Sequence, residues 1–267
     1  MDTFCLLRNV SQGTARVAIV AADPHPIQLY FGPTSNGRKV SIMLEEVGLP
    51  YRVHPIDILA GDQFAPEFLK LNPNNKMPVI VDPDGPGGTP VTVFESGAIL
   101  LYLAQKTGRL MPADPVRAAA CVQWLMWQMA GIGPMFGQWV HFHQYAPHKI
   151  PYAVERYRRE VDRLRLVADR HLAAHEYFAD EYSVADIACW PWLQSFRTRL
   201  PPEAPTPHID AWADRIAARP AVGRGMALDA ERIRPEARGE KPIDRHIWDV
   251  LYGTIQHGER YREEAPR

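Results

Sequence analysis

The chain has 267 residues, enough for two domains, and 46% of them are hydrophobic, enough to bury one large core or two modest ones. Its 30 Lys and Arg balance 31 Asp and Glu, so no overall field draws nucleic acid or an anionic membrane, and a small or polar partner is expected instead. The three cysteines, Cys5, Cys121 and Cys189, are far apart with no metal or CxxC spacing, which reads as a reducing compartment. No run approaches the roughly 18 apolar residues of a membrane helix, and the Val17 to Ala22 stretch lacks signal-peptide flanks, so a cytoplasmic protein is expected. Asn9-Val10-Ser11 matches a glycosylation acceptor that matters only in a secreted chain.

Residues 1–26 show no sustained periodicity and end at Asp23-Pro24-His25-Pro26, so they read as an N-terminal extension. Ile27 to Phe31 reads as a buried strand broken by Gly32 and Pro33, and Val40, Met43, Leu44 and Val47 then recur at the spacing of one helical face. Gly48 and Pro50 end that helix and Tyr51 to Pro55 gives a second strand, making a right-handed βαβ unit the simplest assembly. Phe64 to Leu71 reads as a short helix and Met77 to Val81 as a strand with Pro78 inside it. A Gly/Pro-rich turn over Pro83 to Pro90 leads to a strand over Val91 to Phe94 and a helix over Ser96 to Lys106. The order βαβαββα describes one compact domain over residues 27–108.

After Gly108 the strand signals vanish. Asp114 with Pro115 opens a helical run through Met129 that carries Trp124 and Trp127, and Pro151 opens another to about His175. Ser183-Val184-Ala185-Asp186 resembles a capping box, with Asp in place of Glu or Gln. An all-helical domain is expected over residues 109–230. In a C-terminal extension over 231–267, Ile243, Ile247, Trp248 and Leu251 form an amphipathic stretch able to dock as one more helix.

Two places carry chemistry. Pro78 cannot donate to a ladder, so it belongs at an edge or a special peptide bond, where the backbone of Met77 is free to pair with a peptide-like ligand. Glu95 and Ser96 begin a helix whose N–H groups and hydroxyl can hold a carboxylate, with Glu95 able to meet an ammonium group. The second place is Pro33-Thr34-Ser35-Asn36-Gly37, where Thr34 and Asn36 can donate to a thiolate set against a helix N-terminus. Each feature also has a plain structural reading, as an edge-strand proline or as helix capping, here by Ser35 or Asn36. His141 and His143 would face different sides of a helix, and with His148 they make no convincing metal set. Trp124, Trp127 and Trp139 read as core or interface residues, some of them able to line an apolar pocket.

Taken together and in order, PTSNG, NPNNKMPVIVD and FESGAILLYLA resemble the glutathione-binding domain of the glutathione transferase superfamily, and YSVADIACWPW resembles its helical-domain capping box, over residues 27–220. With GPMFGQ and IPYAVERY, the segments are most similar to the bacterial Nu class and its disulfide-bond reductases. The resemblance implies an α/β thioredoxin-like N-terminal domain plus an all-α C-terminal domain, a homodimer, and glutathione as cosubstrate with no metal. It implies that Thr34 and Asn36 contact the glutathione sulfur, that Met77 pairs through its backbone before a cis Pro78, and that Glu95 and Ser96 bind the γ-glutamyl end. Gln63 and Arg156 match further polar and basic contacts, although Arg156 reads on its own as a solvated helix charge. Thr34 stands where several classes have Ser or Cys, so no protein cysteine is expected to react, and Tyr30 and then Ser35 are the alternative activators. The expected activity is reduction of a small disulfide, or transfer of glutathione to an electrophile, by the bound thiolate. The alternatives are a non-catalytic glutathione-binding regulatory protein and a lyase or dehalogenase acting on a glutathione adduct.

Overall fold

The computed structural model describes residues 25–257 and the backbone of Val17–Ala18. Cys5, the Asn9-Val10-Ser11 tripeptide, the rest of the Val17 to Ala22 stretch, Asp23-Pro24 and residues 258–267 lie outside the described residues.

Strand β1 is Val17–Ala18 and β2 is Ile27–Phe31; β2 buries Ile27, Leu29 and Phe31 while Gln28 and Tyr30 are half-exposed, the period of two that a sheet with one core face requires. Helix α1 (Ser35–Val47) ends at Gly48, whose φ of 72° is the left-handed cap that a Cβ would penalise. The chain returns as β3 (Tyr51–Pro55), parallel to β2 with Ile27 opposite Tyr51. Strands β4 (Val79–Asp82) and β5 (Val91–Phe94) add antiparallel on the other side, and β1 pairs antiparallel with β3, so the order is β1-β3-β2-β4-β5. The edge strand β1 lies in the segment read as an aperiodic extension, because two residues are too few to carry a period. β4 starts at Val79 and not Met77, since Pro78 has no N–H for the ladder; the Met77–Pro78 peptide is cis. A 3₁₀ turn at Asp62–Phe64 precedes α2 (Pro66–Leu71), because Pro66 fits the first helical position where no donor is needed.

Helix α3 (Ser96–Thr107) leads into the helical part, where α4 (Pro115–Trp127) is capped by Asp114 as its sequence indicates. The run to Met129 is not one α-helix. It widens into a π turn at Gln128–Ile132 before α5 (Gly133–Val140), because Pro134 supplies no N–H to the ladder, and it widens again at His141–Tyr145. α6 (Pro151–Leu172) ends short of His175, and α7 (Val184–Arg199) follows the Ser183 capping box. α8 (Pro207–Ala217) and α9 (Pro220–Ala227) close the bundle. One core cluster runs from Leu29 and Met43 through Leu100 and Leu125 to Ile187 and Trp212, with α1 packed between α3, α7 and α9. The α1–α9 approach is backbone to backbone: a Cβ at Gly225 would sit 2.7 Å from the Cα of Ile42. Arg38, buried at 3% exposure, locks this contact by donating to the carbonyls of Gly225 (2.9 Å) and Leu228 (2.5 Å).

Beyond it come α10 (Pro235–Arg238), α11 (Arg245–Leu251) and α12 (Thr254–His257). The amphipathic stretch does dock, anchored by buried Ile247, Trp248 and Val250, with Ile243 and Leu251 only half-buried. No helix among the described residues is long and apolar enough to cross a membrane.

Candidate functional site

The sheet register brings the sequence motifs to one end. Tyr30 pairs with Val79 and Val79 with Phe94, so the exit of β2, the entry of β4 and the exit of β5 share an edge. The Thr34 loop, Met77-Pro78 and Glu95-Ser96 follow from these three strand ends.

Thr34 is the N-cap of α1, a role expected for Ser35 or Asn36: its Oγ1 accepts from the N–H of Gly37 at 3.2 Å. Its hydroxyl proton faces the sulfur of Met77 at 3.7 Å, a weak acceptor that a better one displaces. Asn36 lies two residues on, and its Oδ1 accepts from Nε1 of Trp192 at 3.0 Å. An indole N–H only donates, so this bond orients the amide and leaves Nδ2 as the donor for the cleft that Asn36 lines. The first turn of α1 carries no acidic residue to compensate the helix dipole. A hydroxyl, an amide N–H and a positive helix end therefore converge where a thiolate would be stabilised.

Gln63 is 3% exposed; its Nε2 donates to the carbonyl of Ile58 at 3.2 Å, and its Oε1 is buried with no protein donor among the described residues. Glu95 has φ 70° and ψ 117°, a conformation costing about 1–3 kcal/mol in a non-glycine residue, of the kind that clusters at ligand sites. It turns the chain so that Ser96 opens α3, with the carbonyl of Glu95 taken by Ile99 N at 2.9 Å.

Behind Ser96 stands a residue the sequence reading missed. Lys39 is 1% exposed, and its Nζ donates to Ser96 Oγ (3.2 Å), to Gln128 Oε1 (2.6 Å) and toward Met129 Sδ (3.5 Å). Burial pulls its pKa down to about 7, partly offset by the nearby carboxylate of Glu95. An ammonium has no lone pair, so Ser96 accepts from it and must give its own proton elsewhere. The available signal was that Lys39 lies four residues before Met43 on the apolar face of α1.

These residues border an interdomain cleft of about 1170 Å³, lined by Thr34, Asn36, Gln63 and Met77 on one side and by Trp139, Trp192 and Arg199 on the other. Its charged lining is Arg38, Lys76, Arg199, Arg232, Arg234 and Arg238 against Asp57, a field that draws an anionic ligand. Glu95, Ser96 and Pro78 adjoin the cleft through the strand register and are not part of that lining. Arg156 is not brought there: it lies on α6, 57% exposed and 3.9 Å from Glu160. Tyr30 stacks on His54 at 4.7 Å, away from the cleft, whereas Ser35 lines it. Cys121 and Cys189 are fully buried, and burial pushes both thiols up, so neither offers a thiolate. His141 packs on Tyr252 while His143 stacks on Trp139, and no group among the described residues could hold a metal ion.

The chain matches the family model of the glutathione S-transferase N-terminal domain over residues 34–106 and that of the C-terminal domain over residues 151–215. It is 48% identical over 202 residues to the disulfide-bond oxidoreductase YfcG of Escherichia coli (strain K12), covering 75% of this chain and 94% of that one. To the disulfide-bond oxidoreductase YghU of the same strain it is 40% identical over 240 residues, covering 85% and 83%. A glutathione transferase from Pseudomonas putida, solved with one glutathione disulfide per subunit, superposes with a TM-score of 0.75 at 45% identity, covering 78% of this chain and 94% of that one. One from Pseudomonas fluorescens, solved with two glutathione molecules bound, gives 0.72 at 46%, covering 77% and 94%.

Proposed function

The chain belongs to the glutathione S-transferase family, and from that premise we propose that it reduces small disulfides with bound glutathione. The observation that carries the proposal is the donor cluster of Thr34, Asn36 and the α1 N-terminus, facing a cleft with no cysteine among its described lining residues, while Cys121 and Cys189 are buried elsewhere. A site built to hold a thiolate without supplying one takes its sulfur from the ligand.

In the first step the glutathione thiolate attacks one sulfur of the disulfide, forming a mixed disulfide and releasing the other half as a thiolate that takes a proton from water. A second glutathione thiolate attacks the glutathione sulfur of that mixed disulfide, giving glutathione disulfide and the second thiol. Two glutathione molecules are oxidised for each disulfide reduced. Thr34 and Asn36 hold the attacking sulfur as its anion. The Met77 backbone pairs with the cysteinyl part of the ligand and Gln63 offers its buried oxygen to a ligand N–H. Ser96, the α3 N-terminus and Glu95 take the carboxylate and ammonium of the γ-glutamyl end. Arg156 has no place in this assignment. We assign residues 27–108 to the glutathione-binding domain, residues 109–230 to the helical domain, and the flanking segments 1–26 and 231–267 to extensions. We further assign the chain to a cytoplasmic homodimer of the Nu class, for which exposed Phe94, Val122 and Met126 offer apolar surface.

The test is turnover of a small symmetrical disulfide with glutathione, read as glutathione disulfide formed, beside calorimetry with glutathione alone. Sustained turnover is expected. Binding without turnover would leave a regulatory protein, and no binding would remove glutathione from the account.

Lys39 gives the proposal a pH signature. Charged below pH about 7, it can only donate, which leaves the Ser96 proton for the ligand carboxylate; neutral above it, its lone pair can accept that proton instead. Affinity for S-methylglutathione, whose sulfur has no proton to lose, is expected to fall by about 10-fold between pH 6 and 9, the scale of one charged hydrogen bond, and to stay flat in Lys39→Met. Stability moves the opposite way. The unfolded chain keeps the Lys39 proton to its ordinary 10.5, so between about 7 and 10.5 the native state binds fewer protons and the Lys39 contribution to stability rises with pH.

A further inference from the structure

The C-terminal segment does more than cover core. After α9 the chain returns across the cleft and holds to both of its sides. Toward the sheet domain, Arg234 Nη1 lies 3.4 Å from Asp57 Oδ2, Asn75 Nδ2 donates to Gln256 Oε1 at 3.2 Å, and the methyl groups of Val250 stand over Gly61. Toward the helical domain, Gln144 Nε2 donates to the carbonyl of Glu236 at 3.2 Å, Arg199 Nη2 donates to that of Ala237 at 3.2 Å, and the Tyr252 ring is 4.6 Å from that of His141. Ile233, Leu251 and Tyr252 line the same cleft as Thr34 and Asn36. Buried Ile247, Trp248 and Val250 make the segment a fixed strap.

A thiolate attacks a disulfide along the axis of the bond it breaks, so both substrate sulfurs and the groups behind them must enter the site. A cleft of about 1170 Å³ has room for glutathione and a disulfide of similar size. A disulfide on a folded protein must bring its surface up to this same cleft, whose lining includes Ile233, Leu251 and Tyr252 of the strap. We infer that the strap over residues 229–257 restricts this chain to low-molecular-weight disulfides and denies it disulfides carried on folded proteins. The inference rests on the reductase reading above.

The experiment compares kcat/KM for the mixed disulfide of glutathione and cysteine with that for a single glutathionylated surface cysteine on a folded carrier protein. The full chain is used, as wild type and as Trp248→Ala with Val250→Ala; both residues anchor the strap and neither lines the cleft. Limited proteolysis within residues 229–257 reports release of the strap. The wild type is expected to favour the small disulfide by about 100-fold or more, the scale of a barred approach geometry. The released variant is expected to narrow that ratio by at least about 10-fold, gaining on the protein substrate relative to the small one, as a regained approach allows. Equal wild-type activity on the two substrates overturns the inference whatever the variant does, and so does a proteolytically released strap with the protein substrate still refused. No turnover of either substrate sinks the reductase reading itself and this inference with it.

Discussion

Replacing Thr34 and Asn36 together by alanine is expected to lower kcat/KM for disulfide reduction by about 100- to 1000-fold, the usual cost of removing a preorganised donor from a developing or held anion. The two side chains reach the sulfur site by different routes. Thr34 is placed by its capping bond to Gly37, and Asn36 is held from the far side by Trp192. Controls separate chemistry from folding. Thr34→Ser keeps both the hydroxyl and the cap and is expected to retain most activity, whereas Thr34→Ala also costs the cap, about 1 kcal/mol of stability. Asn36→Asp keeps the shape but sets a second negative charge beside the thiolate, which raises the bound thiol pKa and is expected to be worse than Asn36→Ala. The pH dependence of single-turnover rates reads that thiol pKa directly; a double variant whose thiol titrates as in the wild type would remove both residues from the site.

The largest stability effect is expected at Asp186, which never touches the cleft. Its carboxyl is 0% exposed and accepts four hydrogen bonds: Phe178 N at 3.1 Å and Trp212 Nε1 at 2.9 Å on Oδ1, Ser183 N at 3.0 Å and Ser183 Oγ at 3.2 Å on Oδ2. Asp186→Ala strands those donors in the core where water cannot replace the acceptor, so a loss of about 3–5 kcal/mol is expected in denaturant unfolding. That is a large share of the ~5–15 kcal/mol that holds a typical domain. Ser183→Ala removes only one side of the capping box and is expected to cost about 1 kcal/mol. Because α7 carries Trp192 to Asn36, activity per folded molecule is expected to hold in both variants until the helix itself is lost.

The elements most legible in the sequence are those decided by near neighbours. The spacing of Val40, Met43, Leu44 and Val47, the Asp114-Pro115 start and the Ser183 to Asp186 box lie within a few residues of their partners, where helix geometry alone sets who meets whom. The same locality explains what the sequence left open. Pro134 marks an interruption in the ladder, but the widening that absorbs it at Gln128–Ile132 depends on how α4 and α5 pack. Arg156 looks like a ligand contact in a motif and like a surface charge in the fold, because only packing says which face of α6 turns toward the cleft.

Sequence alone determined the family motifs, the order of the α/β and helical parts and the lack of a cysteine within the PTSNG loop, since each rests on residue type and short spacing. The tertiary structure decided the rest of the site. Lys39 meets Ser96 across 57 positions and Gln128 across 89, Trp192 orients Asn36 across 156, and the strap reaches back from Gln256 to Asn75 across 181. No local period encodes contacts so far apart. They exist because one core holds α1 against α3, α7 and α9 at once, which brings Lys39 behind Ser96, the Trp192 indole to Asn36 and the returning chain to the cleft.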